Sequence, residues 1–191
     1  MAKQFDALEP THTTFIEAQP VFFVATAAPT GRVNLSPKGM DSLRVTAPDR
    51  IVWLNLTGSG NETAGHLRES PRMTLMWCSF DRRPLILRAY GTARCLHRDA
   101  PEWDEFMRLF PDLPGARQFV EMAVEMVQTS CGYGVPLVET HRERGTMRHW
   151  AEDKGAQGLR RWWATHNTRT IDGLPTGIEA NLGAEAQNSD S

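Results

Sequence analysis

The chain has 191 residues, of which 40% are hydrophobic and 23% are charged, as in an ordinary globular protein with a core of its own. Its formal net charge of −2 does not exclude a small anionic ligand. It gives no reason to expect a nucleic-acid partner, because such a partner requires a basic surface. The longest apolar runs, such as residues 21–28, are too short to span a bilayer, so no membrane partner is expected.

The N-terminal residues lack the basic start and apolar stretch of a secretory signal. The chain has three cysteines, Cys78, Cys95 and Cys131, an odd number with no CxxC spacing. We therefore expect neither a disulfide framework nor a metal site, and a reducing, cytoplasmic location.

Short β-branched and aromatic runs separated by turn signals dominate the first two thirds of the chain, a pattern typical of strands. The predicted strands are 21–26, 32–36, 50–56, 73–78 and 85–90, the last continuing through Gly91 into 92–96. Pro37 and Gly39 interrupt the second strand, as at a sheet edge or a close approach to a ligand. Five or six closely spaced strands favour an antiparallel barrel, mainly β with flanking helices, over a parallel sheet.

Helical patterns separate and follow these strands. One helix is predicted over 60–69, opening with a capping box of Ser59 and Glu62, and another follows 99–102 with aromatic residues on one face. Apolar residues at 116, 119, 120, 123, 124 and 127 predict a third, amphipathic helix. A polar helix is predicted over about 139–165, and residues 181–191 are predicted to be disordered.

The segment 31–39 is the most informative for function. At the break in this strand lie the Ser36 hydroxyl, the Lys38 ammonium and the exposed backbone of Gly39. Together these groups could bind a planar, anionic ligand. The same pattern also fits a hairpin edge with a solvated lysine.

A second candidate is the segment 53–63, where a strand leads through a glycine-rich turn to a helix N-terminus. Free backbone N–H groups there favour a phosphate. Helix capping alone also explains Ser59 and Glu62, and Glu62 adds negative charge. The phosphate could instead be held by cations of neighbouring strands, namely Lys38, Arg44, Arg50 or Arg88.

Three runs resemble the pyridoxamine 5'-phosphate oxidase-like FMN-binding split-barrel proteins. They are FFVATAAPTGRVNLSPKG from Phe22, LNLTGSGNETAGHLRESPRM from Leu54 and PLILRAYGTAR from Pro84. The resemblance covers about residues 20–98, and QTSCGYGVP from Gln128 and IDGLPTG from Ile171 are similar to an uncharacterised branch of that superfamily.

The resemblance implies a six-stranded antiparallel split β-barrel that forms a homodimer and binds FMN along the interface. It implies three regions: an FMN-binding domain with inserted helices at 1–136, a C-terminal helical extension at 137–180, and the tail. The cofactor-binding residues that it implies are Ser36, Pro37, Lys38, Gly39, Met40, Asn55, Thr57, Ser59, Asn61, Thr63 and Arg88.

The sequence departs from the family pattern at the cofactor phosphate. The best-known oxidases have an adjacent Arg and Lys on the turn before the helix, where this chain has Glu62 and Thr63, and an Arg where this chain has Ser36. These departures, with no recognisable substrate-binding Arg and His near the C-terminus, argue against pyridoxamine 5'-phosphate oxidase activity itself.

The function expected from the resemblance is an FMN-binding oxidoreductase that acts on an unidentified small substrate or reductant. No side chain needs to act as acid or base in hydride transfer, so no catalytic residue is assigned. The alternative is a non-catalytic flavin or haem binder for storage, sensing or stress response, and a deazaflavin could replace FMN.

Overall fold

The computed structural model describes residues 2–139 and 142–183, and its strands alternate with short helices. The strands are β1 (Lys3–Phe5), β2 (Phe22–Thr26), β3 (Asn34–Lys38), β4 (Leu43–Ala47), β5 (Arg50–Leu56), β6 (Arg72–Cys78), β7 (Ile86–Leu96) and β8 (Ala116–Ser130). The helices are α1 (Pro10–Glu17), α2 (Glu62–Glu69), α3 (Trp103–Met107) and α4 (Thr146–His166), followed by a 3₁₀ turn at Ile178–Asn181.

Within the described residues the sheet has eight antiparallel strands, not six, in the order β3-β2-β6-β7-β8-β5-β4, with β1 added beside β8. Strands β3 and β4 form the two ends of this order. They are joined by a tight turn in which Met40 and Asp41 adopt left-handed backbone conformations, with φ of 63° and 51°. The sheet is therefore a barrel split between β3 and β4, as expected in kind. Five of its strands match the predicted runs, and the three that the sequence did not predict are β1, β4 and β8.

The predicted third helix is wrong, because residues 116–130 form strand β8. The apolar positions fit a helical spacing, but the burial pattern alternates, with Val120, Met122 and Val124 buried and Ala123 and Glu125 exposed. β8 pairs with β5 on one side and β7 on the other, so its hydrogen bonds lie at the centre of the sheet. Tertiary pairing thus overrides a local pattern that fits both periods.

The barrel interior is filled by side chains. Val24, Leu75, Leu87 and Val120 are fully buried in one cluster with Trp53. A second cluster packs α3 and the following loop, through Phe106, Phe110 and Leu113, against the outer side of β5 and β8. Because the interior leaves no room for a cofactor-sized ligand, any such ligand has to lie outside the barrel.

The predicted helix at 60–69 and the aromatic helix after residue 102 are present as α2 and α3. The capping box is wrong: α2 begins at Glu62 after Asn61, with no side-chain cap, and the Glu62 carboxylate instead accepts the backbone N–H of Ile171. The long polar helix begins at Thr146 rather than near 139, and it kinks at Gly155, where φ is 59°.

Within the tail predicted to be disordered, Asn181 instead ends the 3₁₀ turn and is buried, and residues 184–191 lie outside the described residues. None of the helices in the described part of the chain has both the length and the apolar character needed to cross a bilayer.

Candidate functional site

Two adjoining cavities lie on the outside of the barrel beside β3. The smaller, of about 300 Å³, lies between β3, the turn after β5 and the start of β8. The larger, of about 950 Å³, lies between the β3–β4 turn and α4. Lys38, Gly58 and Ser59 line both, so the two spaces form one continuous cleft with a narrow and a wide end.

The narrow end holds two cations, Lys38 from β3 and Arg117 from β8. Arg117 is 2% exposed, and Lys38 is half-buried with its ammonium 5.6 Å from the centre of the Trp53 ring. Burial, reinforced by Arg117, lowers the pKa of Lys38 to about 8, and burial lowers the pKa of Arg117 to about 10. Two desolvated positive charges in one small cavity attract an anion.

Buried polar atoms without partners line the same space. Both side-chain amide atoms of Asn61, the Asn55 Oδ1 and the Arg117 Nε make no hydrogen bond within the described residues. Buried polar groups are normally paired, so unpaired donors and acceptors that converge on a cavity indicate a ligand that satisfies them. The Arg117 Nε and the Asn61 Nδ2 are N–H donors, which a phosphate requires together with positive charge, whereas the two Oδ1 atoms are acceptors.

The Arg117 guanidinium is fixed by neutral oxygens. Its Nη1 donates to the Gly60 carbonyl at 3.0 Å and to the Asn167 Oδ1 at 2.7 Å. The carboxylate of Glu62 also borders the cavity, but it accepts a hydrogen bond from the Ile171 N–H. The positive charge of Arg117 is therefore held in place without an ion pair among the described residues.

The wide end is mainly apolar. Pro20, Val21, Met40 and Phe80 form one side, and Met147, Trp150 and Trp162 of α4 form the other. The two indole rings meet edge to face with centres 5.3 Å apart, and the Trp162 Nε1 donates to the Gly58 carbonyl at 3.2 Å. An apolar, aromatic wall beside an anion site suits a planar ring system that carries a phosphate.

Ten of the eleven residues predicted for the cofactor border this cleft. Those at the narrow end are Ser36, Lys38, Asn55, Ser59, Asn61 and Thr63, and those at the wide end are Pro37, Lys38, Gly39, Met40, Thr57 and Ser59. The Thr57 hydroxyl already serves the fold, since it donates to the Gly115 carbonyl and accepts the Trp163 Nε1–H, both at 2.8 Å.

Arg88 borders neither end of the cleft. It lies on β7, three places from β3 in the sheet order, with its guanidinium 3.4 Å from the Ser130 Oγ. Two other candidate phosphate cations are engaged elsewhere, Arg44 with Asp41 and Arg50 with Glu121. Of the four cations that the sequence suggests for the phosphate, Lys38 alone lines the cleft.

Sequence reasoning missed Arg117, the most buried cation of the site. Arg117 stands beside Gln118 in a segment whose apolar spacing predicts a helix rather than a strand beside the cleft, so no local signal marks it. Trp150 was missed as well.

A sequence model of the family described as pyridoxamine 5'-phosphate oxidase matches residues 8–131, more than half of the chain. The chain belongs to this family. A relative from Aspergillus flavus, the pyridoxamine 5'-phosphate oxidase family protein ustO, is 36% identical over 177 residues, which cover 82% of this chain and 70% of that protein.

Solved structures of other proteins share the fold. A single-residue variant of HupZ from Group A Streptococcus is 20% identical with a TM-score of 0.52, covering 64% of this chain and 99% of that one. A Lactobacillus delbrueckii protein, provisionally assigned as a pyridoxamine 5'-phosphate oxidase, has the same identity, TM-score and share of this chain, and 94% of its own chain is covered. At such identity the likeness shows the split barrel alone.

The residues of the cleft fit the flavin that this family suggests. Lys38, Arg117 and Asn61 would hold the phosphate, and the apolar wide end would take the ring. A cluster of three or more His, Cys, Asp or Glu side chains able to hold a metal ion does not occur in the part of the chain that the structure describes.

Proposed function

We propose that this protein binds FMN in the cleft beside β3 and works as an oxidoreductase on a small organic substrate. The observation that carries the proposal is the pair of desolvated cations, Lys38 and Arg117, beside the unpartnered amide of Asn61 at the end of an apolar cleft. A neutral ligand would leave both charges buried without compensation, whereas a phosphate compensates them.

Each group of residues has a distinct role in this proposal. Lys38 and Arg117 bind the phosphate by charge, Asn61 supplies hydrogen bonds, and Trp150 and Trp162 keep water from one face of the ring. Bound FMN supplies reversible hydride transfer, so the protein mainly has to position the ring and the substrate. The proposal therefore needs no general acid or base.

A homodimer is part of the proposal. The cleft lies on the outside of a filled barrel and opens beside edge strand β3, so a partner surface could cover it. Val33 and Leu35 at this edge are 74% and 65% exposed, which is unusual for large apolar side chains on an unprotected strand.

The first experiment compares two ligands that differ only in the phosphate, FMN and riboflavin, by fluorescence titration of the purified protein. Wild type should bind FMN much more tightly than riboflavin. Arg117→Met should weaken FMN binding by about 1.5–3 kcal/mol, the range for hydrogen bonds to a charged group, and leave riboflavin binding nearly unchanged. Arg148→Met, at an exposed position of α4 outside the cleft, is the matched control.

A second experiment tests the reaction. NADH or NADPH added to the FMN-loaded protein should bleach its visible absorbance, and an added electron acceptor should restore it. A protein that is colourless after incubation with FMN and removal of the unbound FMN would overturn the proposal as a whole. Bleaching without transfer to any acceptor would favour the alternative, a non-catalytic flavin carrier.

A further inference from the structure

Among the described residues beyond 131, Asn167 is the one whose side chain holds the Arg117 guanidinium at the narrow end of the cleft. This residue follows the last turn of α4 and is fully buried. It lies outside the residues 8–131 that match the family. A buried asparagine at a helix end usually serves its own backbone, and here its side chain reaches two distant elements instead.

The Asn167 amide joins two walls of the narrow end. Its Oδ1 accepts the Arg117 Nη1–H at 2.7 Å, and its Nδ2 donates to the Gly58 carbonyl at 3.2 Å. One planar amide thus sets the distance between the start of β8 and the turn after β5. With Nη1 occupied by Asn167 and Gly60, the Arg117 Nε stays without a partner at the cavity.

The neutrality of this amide matters for an anion site. A carboxylate at the same position would fix Arg117 equally well, but it would neutralise the charge that an anion needs. An amide oxygen holds the guanidinium by a hydrogen bond and leaves its full positive charge to the ligand.

The segment that carries Asn167 is itself tied to the barrel around the cleft. Its backbone oxygen accepts the Thr176 hydroxyl at 2.5 Å, which folds residues 167–176 into a closed loop. From this loop Ile171 N–H reaches Glu62 on α2, and Asp172 forms an ion pair with Arg32 before β3. Contacts with Arg32, first of all its backbone N–H, hold the pKa of the Asp172 carboxyl below its usual value.

We propose that Asn167 is a positioning residue of the anion site: it orients the Arg117 guanidinium toward a bound phosphate and keeps its charge available. The C-terminal segment is then an integral part of the cofactor site rather than an appendage. This inference rests on the proposed function, since it assumes that a flavin phosphate occupies the narrow end.

The test measures FMN and riboflavin affinities for the variants Asn167→Ala and Asn167→Asp. Asn167→Ala should weaken FMN binding about 10-fold, because Arg117 loses its orienting acceptor. Asn167→Asp, which keeps an acceptor for Arg117 but loses the donor to the Gly58 carbonyl, should weaken FMN binding more strongly, because the new carboxylate competes with the phosphate. Riboflavin binding should change less than about two-fold in both, since it has no phosphate.

Asn181→Ala is the matched control. Asn181 is also a buried asparagine of the C-terminal segment, and its Nδ2 also contacts Arg117, but at the backbone carbonyl rather than the guanidinium. This variant loosens the segment without touching the charged group. It should therefore leave the ratio of FMN to riboflavin affinity at the wild-type value.

The outcomes separate this inference from the proposed function. Equal loss of FMN and riboflavin affinity in the Asn167 variants would show a merely structural role and overturn the inference, as would unchanged FMN affinity in Asn167→Asp. Wild-type protein that binds neither ligand would instead overturn the proposed function. Neither variant keeps the donor to the Gly58 carbonyl, so unfolding midpoints near the wild-type value have to show that both are folded.

Discussion

Two residues, Lys38 and Arg117, set the chemistry of the cleft because each holds a positive charge in a site that is shielded from water. Burial lowers the pKa of both, which means that the protonated forms are disfavoured in the folded protein. An anion between them reverses that penalty and raises both pKa values again. Ligand affinity and proton affinity are therefore coupled at this site.

The pH dependence of FMN binding follows from Lys38. Below about pH 8 the side chain is protonated and attracts the phosphate, which is a dianion above its own pKa of about 6. Above pH 8 the free protein has to take up a proton to bind, so FMN affinity should fall by up to about 10-fold per pH unit. Titrations at pH 7, 8 and 9 check this.

Two controls accompany the pH series. Riboflavin affinity should stay level over the same range, and Lys38→Met should bind FMN weakly but without the decline above pH 8. An FMN affinity that does not change between pH 7 and pH 9 would remove Lys38 from the phosphate site.

At the scale of elements, the close pairing of β7 with β8 depends on one glycine. The β7–β8 register shifts between Tyr90 and Gly91, and a Cβ at Gly91 would lie 1.9 Å from the Ala123 carbonyl oxygen. The two backbones can approach this closely because no side chain separates them. The sequence predicts a strand that continues through Gly91, and the glycine allows the register shift within it.

Gly91→Ala should destabilise the fold by about 2–4 kcal/mol, because a central strand has to move to accommodate the new methyl group. Denaturant unfolding followed by tryptophan fluorescence measures the change. Gly134→Ala is the control, since nothing lies within 4 Å of a Cβ placed there. Similar unfolding midpoints for the two variants would contradict the close approach.

A second close contact joins α2 to the C-terminal segment. A Cβ at Gly65 would lie 2.2 Å from the Thr170 Cγ2, so Gly65→Ala should destabilise the protein by about 1–3 kcal/mol. The change Thr170→Ser removes that methyl group and should recover part of the loss. A double-mutant cycle of unfolding free energies measures the coupling, and strictly additive effects would argue against the contact.

At the scale of the whole molecule, a filled barrel leaves the cleft on the outside and the edge strand β3 uncovered. The homodimer that we propose would remove Val33 and Leu35 from water. Edge strands that stay exposed and apolar tend to associate, so a specific partner surface also protects the monomer from aggregation.

Light scattering coupled to gel filtration tests the dimer. Wild type should have twice the 21.5 kDa mass of the chain, and Leu35→Glu should shift it toward the monomer by burying a charge at the interface. Tyr133→Glu, which changes an exposed aromatic residue beyond β8, should remain dimeric. A wild-type mass of one chain would contradict the dimer.

The sequence by itself determined the strands that have a recognisable local pattern. β2, β5 and β6 are short apolar runs bounded by turns, and β3 carries its Pro and Gly break, so the local pattern favours an antiparallel barrel. The ten cleft residues lie within two continuous stretches, 36–40 and 55–63, at the ends of β3 and β5. Motifs made of neighbouring residues can be recognised without coordinates.

Only the tertiary structure decided what depends on distant residues. β8 fits a helix in sequence, and it is a strand because β5 and β7 supply its hydrogen bonds from both sides. Glu62 fits a cap, and it binds Ile171 instead. Arg117 and Asn167 are 50 residues apart, so their contact leaves no local signature. The free energy of such pairs comes from the whole fold, and a linear pattern does not encode it.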